Sequence, residues 1–241
     1  TAYSSQRGYN PNLTFVDRKD INIGLQGVFL NKSLGFEANV FMITNEKLPT
    51  TAASRYPGFY GGFLPVENYN SVKYQGFETG LNYTRKFNNW TLSAGVNALY
   101  SVSTNTKLQE KEWAYDYQKR EGRPADAYYG LVALGLFRNE EDVLNSPQQT
   151  FGSVKPGDIK YQKQNDEATV TVDDEVYLGR WQSPFVAGAD LNLSYKFISL
   201  MVIGEARAGS VSFTESNYYW MDGNERYSEL AKDSWTEANW K

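Results

Sequence analysis

Any chemistry in this chain has to be done without histidine and without cysteine, because its 241 residues contain neither. That removes Ser-His-Asp and Cys-His catalysis, the commonest transition-metal ligand and any disulfide framework. By residue type, the hydrolytic option that remains is a pair of carboxylates flanking a glycosidic bond. Nothing in the spacing of Asp and Glu sets two of them about 5–10 Å apart across a sugar. The sequence therefore assigns no catalytic residue and reads as a non-enzyme. Binding chemistry is better represented. Trp113, Tyr115, Tyr117, Trp181, Tyr218, Tyr219 and Trp220 lie in polar, loop-like stretches, where their rings could stack on sugar rings or peptide side chains. The competing reading is that they pack loops on one another or sit at a membrane interface. A formal net charge of −4 and a pI near 5.1 leave no basic footprint for nucleic acid.

The elements that must position these rings are strands. From Tyr74 to Thr104 the sequence holds two runs of strict alternation about Asn88-Asn89, a pair that tolerates the positive φ of a tight turn. Phe77, Thr79, Leu81 and Tyr83 share one face of the first run. Trp90, Leu92, Ala94, Val96, Ala98, Tyr100 and Val102 share one face of the second. The second apolar side is far longer than the usual strand of about five to six residues. Its reverse side carries Gly, Ser, Asn and Thr rather than the Lys and Glu of a solvated sheet. A strand that crosses a bilayer needs about 9–11 residues, faces lipid with one side and lines a polar lumen with the other. Trp90 and Tyr100, with Tyr83 and Phe87 opposite, fit an aromatic girdle at its two ends.

Composition agrees with that reading. Mean hydropathy is −0.57, hydrophobic content 41% and aromatic content 15%. No apolar run approaches the ~18 residues of a spanning helix. The hairpin pattern recurs along the chain. Strands are expected at 20–30 and 34–44 around Asn31-Lys32-Ser33, and at 186–197 and 200–213 around a short turn near Ile198-Ser199. Tyr128–Phe137 reads as a strand or an inward-folded loop segment, and Glu140-Glu141-Asp142 as one helical turn. Long loops are expected at about 45–71, where Pro49, Pro57 and Pro65 argue against a ladder, and at about 105–185 and 214–241. Short turns alternating with long loops are the plan of an outer-membrane barrel. The expected fold is an all-β, antiparallel transmembrane β-barrel segment. The alternative is a soluble β-rich carbohydrate-binding or adhesin surface module, whose sheet would bury the long apolar faces against a second sheet.

Several motifs, in order, resemble the SusC/RagA-like TonB-dependent transporters of Bacteroidota. Asn10-Pro11-Asn12-Leu13 followed by Ile21-Asn22-Ile23-Gly24-Leu25 is similar to that family's "NPNLxWE…xNxGLD", and Asn70 through Glu78 to its "NxGxVxNxGxE". Glu121-Gly122-Arg123-Pro124 with Tyr129-Gly130-Leu131, Gly135 through Glu141, Lys155 through Tyr161, and the Gly179/Pro184 pair resemble further family stretches. The resemblance spans about the whole chain. It implies part of a barrel of about 22 strands, 1–241 being a partial β-barrel domain, with the plug, the TonB-interacting segment and a signal sequence upstream and closing strands beyond Lys241.

It further implies an active importer of oligosaccharides or peptides in the cell outer membrane. The implied partners are a SusD-like substrate-binding surface lipoprotein seated on the loops, the TonB complex acting through the plug, and outer-membrane lipid. Glu37, Asn39, Glu78, Asn82, Asn97, Asp190, Asn192, Glu205 and Arg207 would face the lumen, wetting the channel and pairing with the plug. One stretch departs from the family. Where members carry a D-x-N-x-D-G type loop that looks capable of holding Ca²⁺, this chain has Gln162 to Ala168, with Lys163 near the first carboxylate's place and Ala168 where Gly would turn. Asp166, Glu167, Asp173 and Asp174 are read as an acidic solvated loop. Neither a metal site nor a cofactor is expected.

Overall fold

The computed structural model describes residues 8–51, 53, 56–216, 218, 219 and 227–236. Its strands, in chain order, are β1 (Asp17–Phe29), β2 (Leu34–Thr51), β3 (Val66–Phe87), β4 (Trp90–Lys107), β5 (Ala127–Gly130), β6 (Ala133–Leu136), β7 (Gln148–Gln149), β8 (Ile159–Tyr161), β9 (Thr169–Val170), β10 (Val176–Arg180), β11 (Phe185–Tyr195) and β12 (Ile198–Ala208). The one α-helix among the described residues is α1 (Glu140–Leu144). The chain divides into two compact units. One holds the long strands together with Lys119–Asp126 and Gln182–Ser210. The other holds Ala114–Gln118, Ala127–Trp181 and the segment from Val211 onward.

In the first unit β1-β2-β3-β4-β11-β12 form one antiparallel sheet, each strand bonded to the next in that order. Tight turns join β1 to β2, β3 to β4 and β11 to β12. Asn88 takes φ 52° at the second of these, as its residue type led us to expect. Several expected boundaries move. The last turn falls on Lys196 (φ 51°) and Phe197 rather than near Ile198-Ser199, and β12 stops at Ala208, because Gly209 adopts φ +85°. The loop expected at about 45–71 is shorter, since β2 runs on to Thr51 and β3 already begins at Val66. The pairing shifts register between Asn45, Leu48 and Pro49, so the proline sits at an irregularity where no ladder donor is needed.

One face of this sheet is apolar and uncovered. Ile23 pairs with Val40, Val40 with Phe77, Phe77 with Tyr100 and Tyr100 with Phe185. Ile23 is 72% exposed and Val96 52%. Among the described residues no second sheet covers this face, whereas the sandwich alternative needs one to bury it. At one end Trp90 meets Tyr195, ring centroids 4.5 Å apart, and at the other Phe77 stacks on Tyr100 at 5.9 Å. Ten residues separate Trp90 from Tyr100 and Tyr195 from Phe185. That is ~33 Å along a strand and ~25 Å along the normal at a tilt of about 40°, the height of a barrel's apolar band.

The second unit has a small core of its own, in which Phe137 and Val170 are fully buried. Its strands are short and irregular, and side chains do much of the pairing. Gln149, itself buried, donates to the Ile159 carbonyl and accepts from Tyr161 N. Tyr128–Phe137 resolves into two separate strands, β5 on β10 and β6 on β8. Gly157 (φ +91°) lies against the Trp235 ring, where a Cβ would come within 2.7 Å of it. The expected helical turn is α1. Asn139 caps it by accepting from Asp142 N at 2.9 Å, and Glu140, Glu141 and Asp142 complement its N-terminal dipole.

The Asp142 carboxylate accepts from Lys160 Nζ at 2.8 Å and from Arg138 N at 3.1 Å. The lysine first, and then the Arg138 amide, hold its pKa below the ordinary aspartate range. A depressed folded pKa means that the tie is in place above about pH 4, the unfolded value, and is lost as pH falls through the lower folded value. Amide protection in 138–146, measured against the intrinsic exchange rate at each pH, should therefore fall on acidification below pH 4. In Asp142→Asn the protection should already be low at neutral pH and should change little with acid; an unchanged acid-dependent loss of protection in that variant would refute the tie.

Candidate functional site

Two places carry the residues singled out from the sequence: the polar face of the long sheet and the aromatic, acidic part of the second unit. On the sheet, alternation alone decides the face and register decides the neighbours. Glu37 lies opposite Gly80, Gly80 opposite Asn97, Asn97 opposite Gly188 and Gly188 opposite Glu205. In the adjacent row Gly24, Asn39, Glu78, Leu99, Val186 and Arg207 follow one another. In the next, Gly35, Asn82, Gly95 and Asp190 do so, and Asn192 lies opposite Ser93. The structure thus brings Glu37, Asn39, Glu78, Asn82, Asn97, Asp190, Asn192, Glu205 and Arg207 to one face.

Large and small residues alternate across these rows for a steric reason. Asn39 lies over Gly24, Glu37 over Gly80, Asp190 and Asn82 over Gly95, and Asn97 over Gly188, each where a glycine Cβ would be. Asn39 Nδ2 donates to Glu78 at 3.0 Å, and Arg207 is paired with Glu205 on its own strand. Among the described residues no lysine or arginine pairs with Glu37, Glu78 or Asp190. A cleft of about 380 Å³ opens along Glu37, Asn39, Glu78 and Asn97. The middle of this face is therefore acidic, with its glycines lying beneath Glu37, Asn39, Asn97 and Asp190.

Gly76 belongs to the same face, and there the close neighbour is backbone rather than a flexible side chain. A Cβ there would run into the Tyr100 carbonyl oxygen and lie 2.9 Å from the Phe41 ring and 3.0 Å from Ser101 Cα. Backbone on one side and a packed ring on the other leave nothing able to yield. Gly76→Ala should destabilise the folded protein by about 1–3 kcal/mol. Gly204→Ala, where no atom lies within 4 Å, should be close to neutral. Urea unfolding midpoints of the two variants compare them directly, and equal midpoints would contradict this packing.

In the second unit Tyr115 and Tyr117 stack with centroids 5.3 Å apart and planes 6° from parallel. Tyr115 Oη donates to Glu167 at 2.8 Å, and Tyr117 Oη donates to the Asp173 carbonyl at 2.8 Å. The Glu167 hydrogen bond, helped by desolvation and nearby negative charge, pushes the Tyr115 phenol up to about 12. Desolvation first raises that of Tyr117. Tyr218 and Tyr219 meet edge to face at 5.3 Å, with both rings half exposed. Trp181 is 52% exposed. Trp113 belongs to the first unit: its Nε1 donates to Glu110 at 2.6 Å, and Lys111 and Arg120 lie 4.2 and 5.4 Å from its ring centre. Trp220 lies outside the described residues.

The acidic stretch is less solvated than its composition indicates, and the reason is backbone satisfaction. Asp174 is fully buried. Its two oxygens accept from Gln164 N at 2.7 Å and Thr171 N at 2.8 Å, and with Thr171 it forms a reciprocal cap on a short 3-10 turn. Asp173 accepts from Gln118 Nε2 at 3.1 Å, and Lys163 Nζ donates to the Glu167 carbonyl at 2.6 Å. These carboxylates hold loop segments together. The Thr171-x-x-Asp174 spacing before Val176 was the signal for it. The sequence also held no sign of Asn68, which bonds the N–H and carbonyl of Thr14 and the carbonyl of Lys47, because a lone Asn near a strand start has no distinctive pattern.

No family model matches the chain. Its sequence is 25% identical over 258 residues to the TonB-dependent receptor P26 of Formosa agariphila, covering 99% of this chain and 25% of that protein. Solved structures of a peptide transporter share its fold. The RagAB peptide transporter superposes with a TM-score of 0.70 at 20% identity, covering 95% of this chain and 26% of that one. The RagAB peptide importer gives 0.69 in both its closed-closed and open-open states, at 19% and 18% identity, each covering 96% of this chain. The chain thus spans about a quarter of the length of the proteins it matches. The resemblance read from the motifs holds: this is an all-β barrel segment similar to the SusC/RagA-like TonB-dependent transporters, and its relatives are receptors and transporters rather than enzymes.

Proposed function

We propose that this SusC/RagA-like segment forms part of the wall and external loops of an outer-membrane importer that takes up oligosaccharides or peptides with energy from TonB. The observation that carries the proposal is the pair of faces on the six-stranded sheet: one uncovered and apolar between two aromatic rows, the other polar, glycine-rich and acidic. A bilayer on one side and a watered lumen on the other satisfy both. The role of this segment is passive. It supplies wall and chamber, while transport requires a plug to move.

Glu37, Glu78 and Asp190 would face such a plug and pair with basic groups on it, because carboxylates beside a low-dielectric wall gain most from a close cation. Trp181, Tyr218 and Tyr219 are the exposed rings best able to stack on a ligand or on a SusD-like lipoprotein closing the chamber. Tyr115 and Tyr117 are held to Glu167 and Asp173 and would offer one fixed ring surface. Trp113 is occupied by Glu110, Lys111 and Arg120 and would act by shaping its loop.

Uptake by cells carrying the full-length protein tests the proposal. Labelled oligosaccharide or peptide should accumulate only when TonB is present, and the protein should sediment with the outer membrane. Uptake that persists without TonB, or a protein recovered in the soluble fraction, would overturn it.

A further inference from the structure

The two ends of the six-stranded sheet differ in charge. At the end of the longer connections Arg18, Lys19 and Lys47 each pair with a carboxylate, on Asp20, Glu46 and Asp17, at 3.0, 2.7 and 2.6 Å. At the end of the tight turns, the stretches 27–36, 81–94 and 191–204 hold Lys32, Arg85, Lys86 and Lys196 and not one Asp or Glu. Among the described residues none of these four cations forms an ion pair. A rim of one sign of charge with no neutralising partner concentrates anions at its surface.

Arg85 also lies on the wrong face for a solvated residue. Parity along β3 places it with Leu81, Tyr83 and Phe87 on the apolar side, opposite Leu92, which in turn lies opposite Leu193. Between the row of Phe77, Tyr100 and Phe185 and the row of Phe87, Trp90 and Tyr195, it is the one charged side chain among the described residues of that face. A long cationic side chain at the edge of an apolar band carries its head to the interface and takes a partner there.

The backbone leaves room for that partner. Thr84 N donates to the Ser33 carbonyl at 2.7 Å, so the β1–β2 turn ends against β3 while the β3–β4 hairpin runs on past it to Phe87. Leu30, Asn31, Ser33, Tyr83, Arg85 and Lys86 line the open hollow of about 410 Å³ at this step. Ser33 N closes the turn on the Leu30 carbonyl at 3.1 Å, with Leu30, Asn31 and Lys32 at φ 52°, 52° and 71°. Arg85 offers a planar fork and Lys86 a point charge to phosphate oxygens, and Asn31 and Ser33 add neutral donors. Leu30, 66% exposed, continues the apolar surface to the hollow's edge. A free anion would use the charges and leave that surface in water. A lipid with an anionic phosphate head satisfies both, its chains lying along the row of Leu92 and Leu193.

We propose that this hollow binds an anionic phospholipid of the leaflet on the tight-turn side, with Arg85 and Lys86 holding its phosphate. On an outer-membrane barrel that leaflet is the periplasmic one. The proposal rests on the membrane-wall reading above and adds a lipid contact that fixes the height of the wall in the bilayer.

The test uses the full-length protein in detergent micelles, titrated with phosphatidylglycerol and with zwitterionic phosphatidylcholine of the same chains, bound lipid being counted by native mass spectrometry. Each cation beside an anionic headgroup contributes about fivefold in affinity, so phosphatidylglycerol should bind about twentyfold more tightly. Arg85→Gln and Lys86→Gln should each lose about fivefold of that preference, and the double variant nearly all of it. Arg85→Lys should keep most of it, and Arg18→Gln at the opposite end should keep it all. Urea midpoints in pure phosphatidylcholine vesicles should be the same for wild type and variants, and adding phosphatidylglycerol should raise only that of proteins that bind it. The wild-type comparison of the two lipids needs no variant. Equal affinity for them, an undiminished preference in the double variant, or displacement of phosphatidylglycerol by an equal concentration of inorganic phosphate would each overturn the proposal. TonB-dependent uptake with no lipid preference removes the site and leaves the importer, whereas wild-type protein recovered in the soluble fraction removes the membrane wall itself.

Discussion

Val96→Lys is expected to destabilise the membrane-inserted protein by about 2–4 kcal/mol, the cost of a lysine at a barrel's lipid-facing midplane. Asn97→Lys, one residue on, is expected to change stability little. The contrast follows from the sheet. Val96 lies on the uncovered face between Leu81 and Ala189, midway between the aromatic rows at Trp90 and Tyr100. A charge there must snorkel to the interface or thin the bilayer, and a lysine stem reaches only part of that distance. Asn97 points the other way, toward the cleft that Glu37 and Glu78 line. There a lysine would be hydrated and would find carboxylates that have no cationic partner among the described residues. Urea unfolding of the full-length protein from lipid vesicles measures both variants on one scale. Equal costs, or a larger cost at position 97, would mean that the two faces have been assigned the wrong way round.

Asp174→Ala is the second large effect, and it acts in a different part of the molecule. The carboxylate is buried and accepts from two backbone amides, Gln164 N and Thr171 N. Removing it leaves both donors without an acceptor in a site that water does not reach. An orphaned buried polar group costs ~1–3 kcal/mol, so the pair amounts to about 3 kcal/mol. The loss should be local. Amides of 164–174 should exchange faster by two orders of magnitude, and the Tyr115–Glu167 and Tyr117–Asp173 contacts should loosen with them, while the long sheet is unaffected. Asp174→Asn keeps one acceptor oxygen and should recover part of the protection. Wild-type exchange rates in Asp174→Ala would show that other groups satisfy these amides.

How much of this could be read from residues alone varies with the element. The four strands from Asp17 to Lys107 and the pair from Phe185 to Ala208 are legible because a strand apolar on one face and polar on the other has the strictest period of any element, and their faces follow from parity. Their ends are less legible. Pro49 argued against a strand, yet β2 passes through it, since a register shift removes the need for its missing donor. Lys196 turns at positive φ without being Asn or Gly, a conformation that neighbouring strands impose. The loop aromatics were visible as residues but not in their duties: Tyr115 and Tyr117 form one stacked pair, whereas Trp113 is taken up by its own charged neighbours.

The sequence by itself determined that the protein is a β-chain with two-faced strands, that it has no histidine or thiol chemistry, and that it resembles one transporter family. All three are properties of residue type and of a period of two along one strand. Tertiary structure alone decided the rest. It set which glycine lies beneath which carboxylate and made Asp174 a buried cap rather than a solvated acid. Those depend on register between strands and on contacts between residues far apart in the chain, and neither leaves a periodic trace in the order of the amino acids.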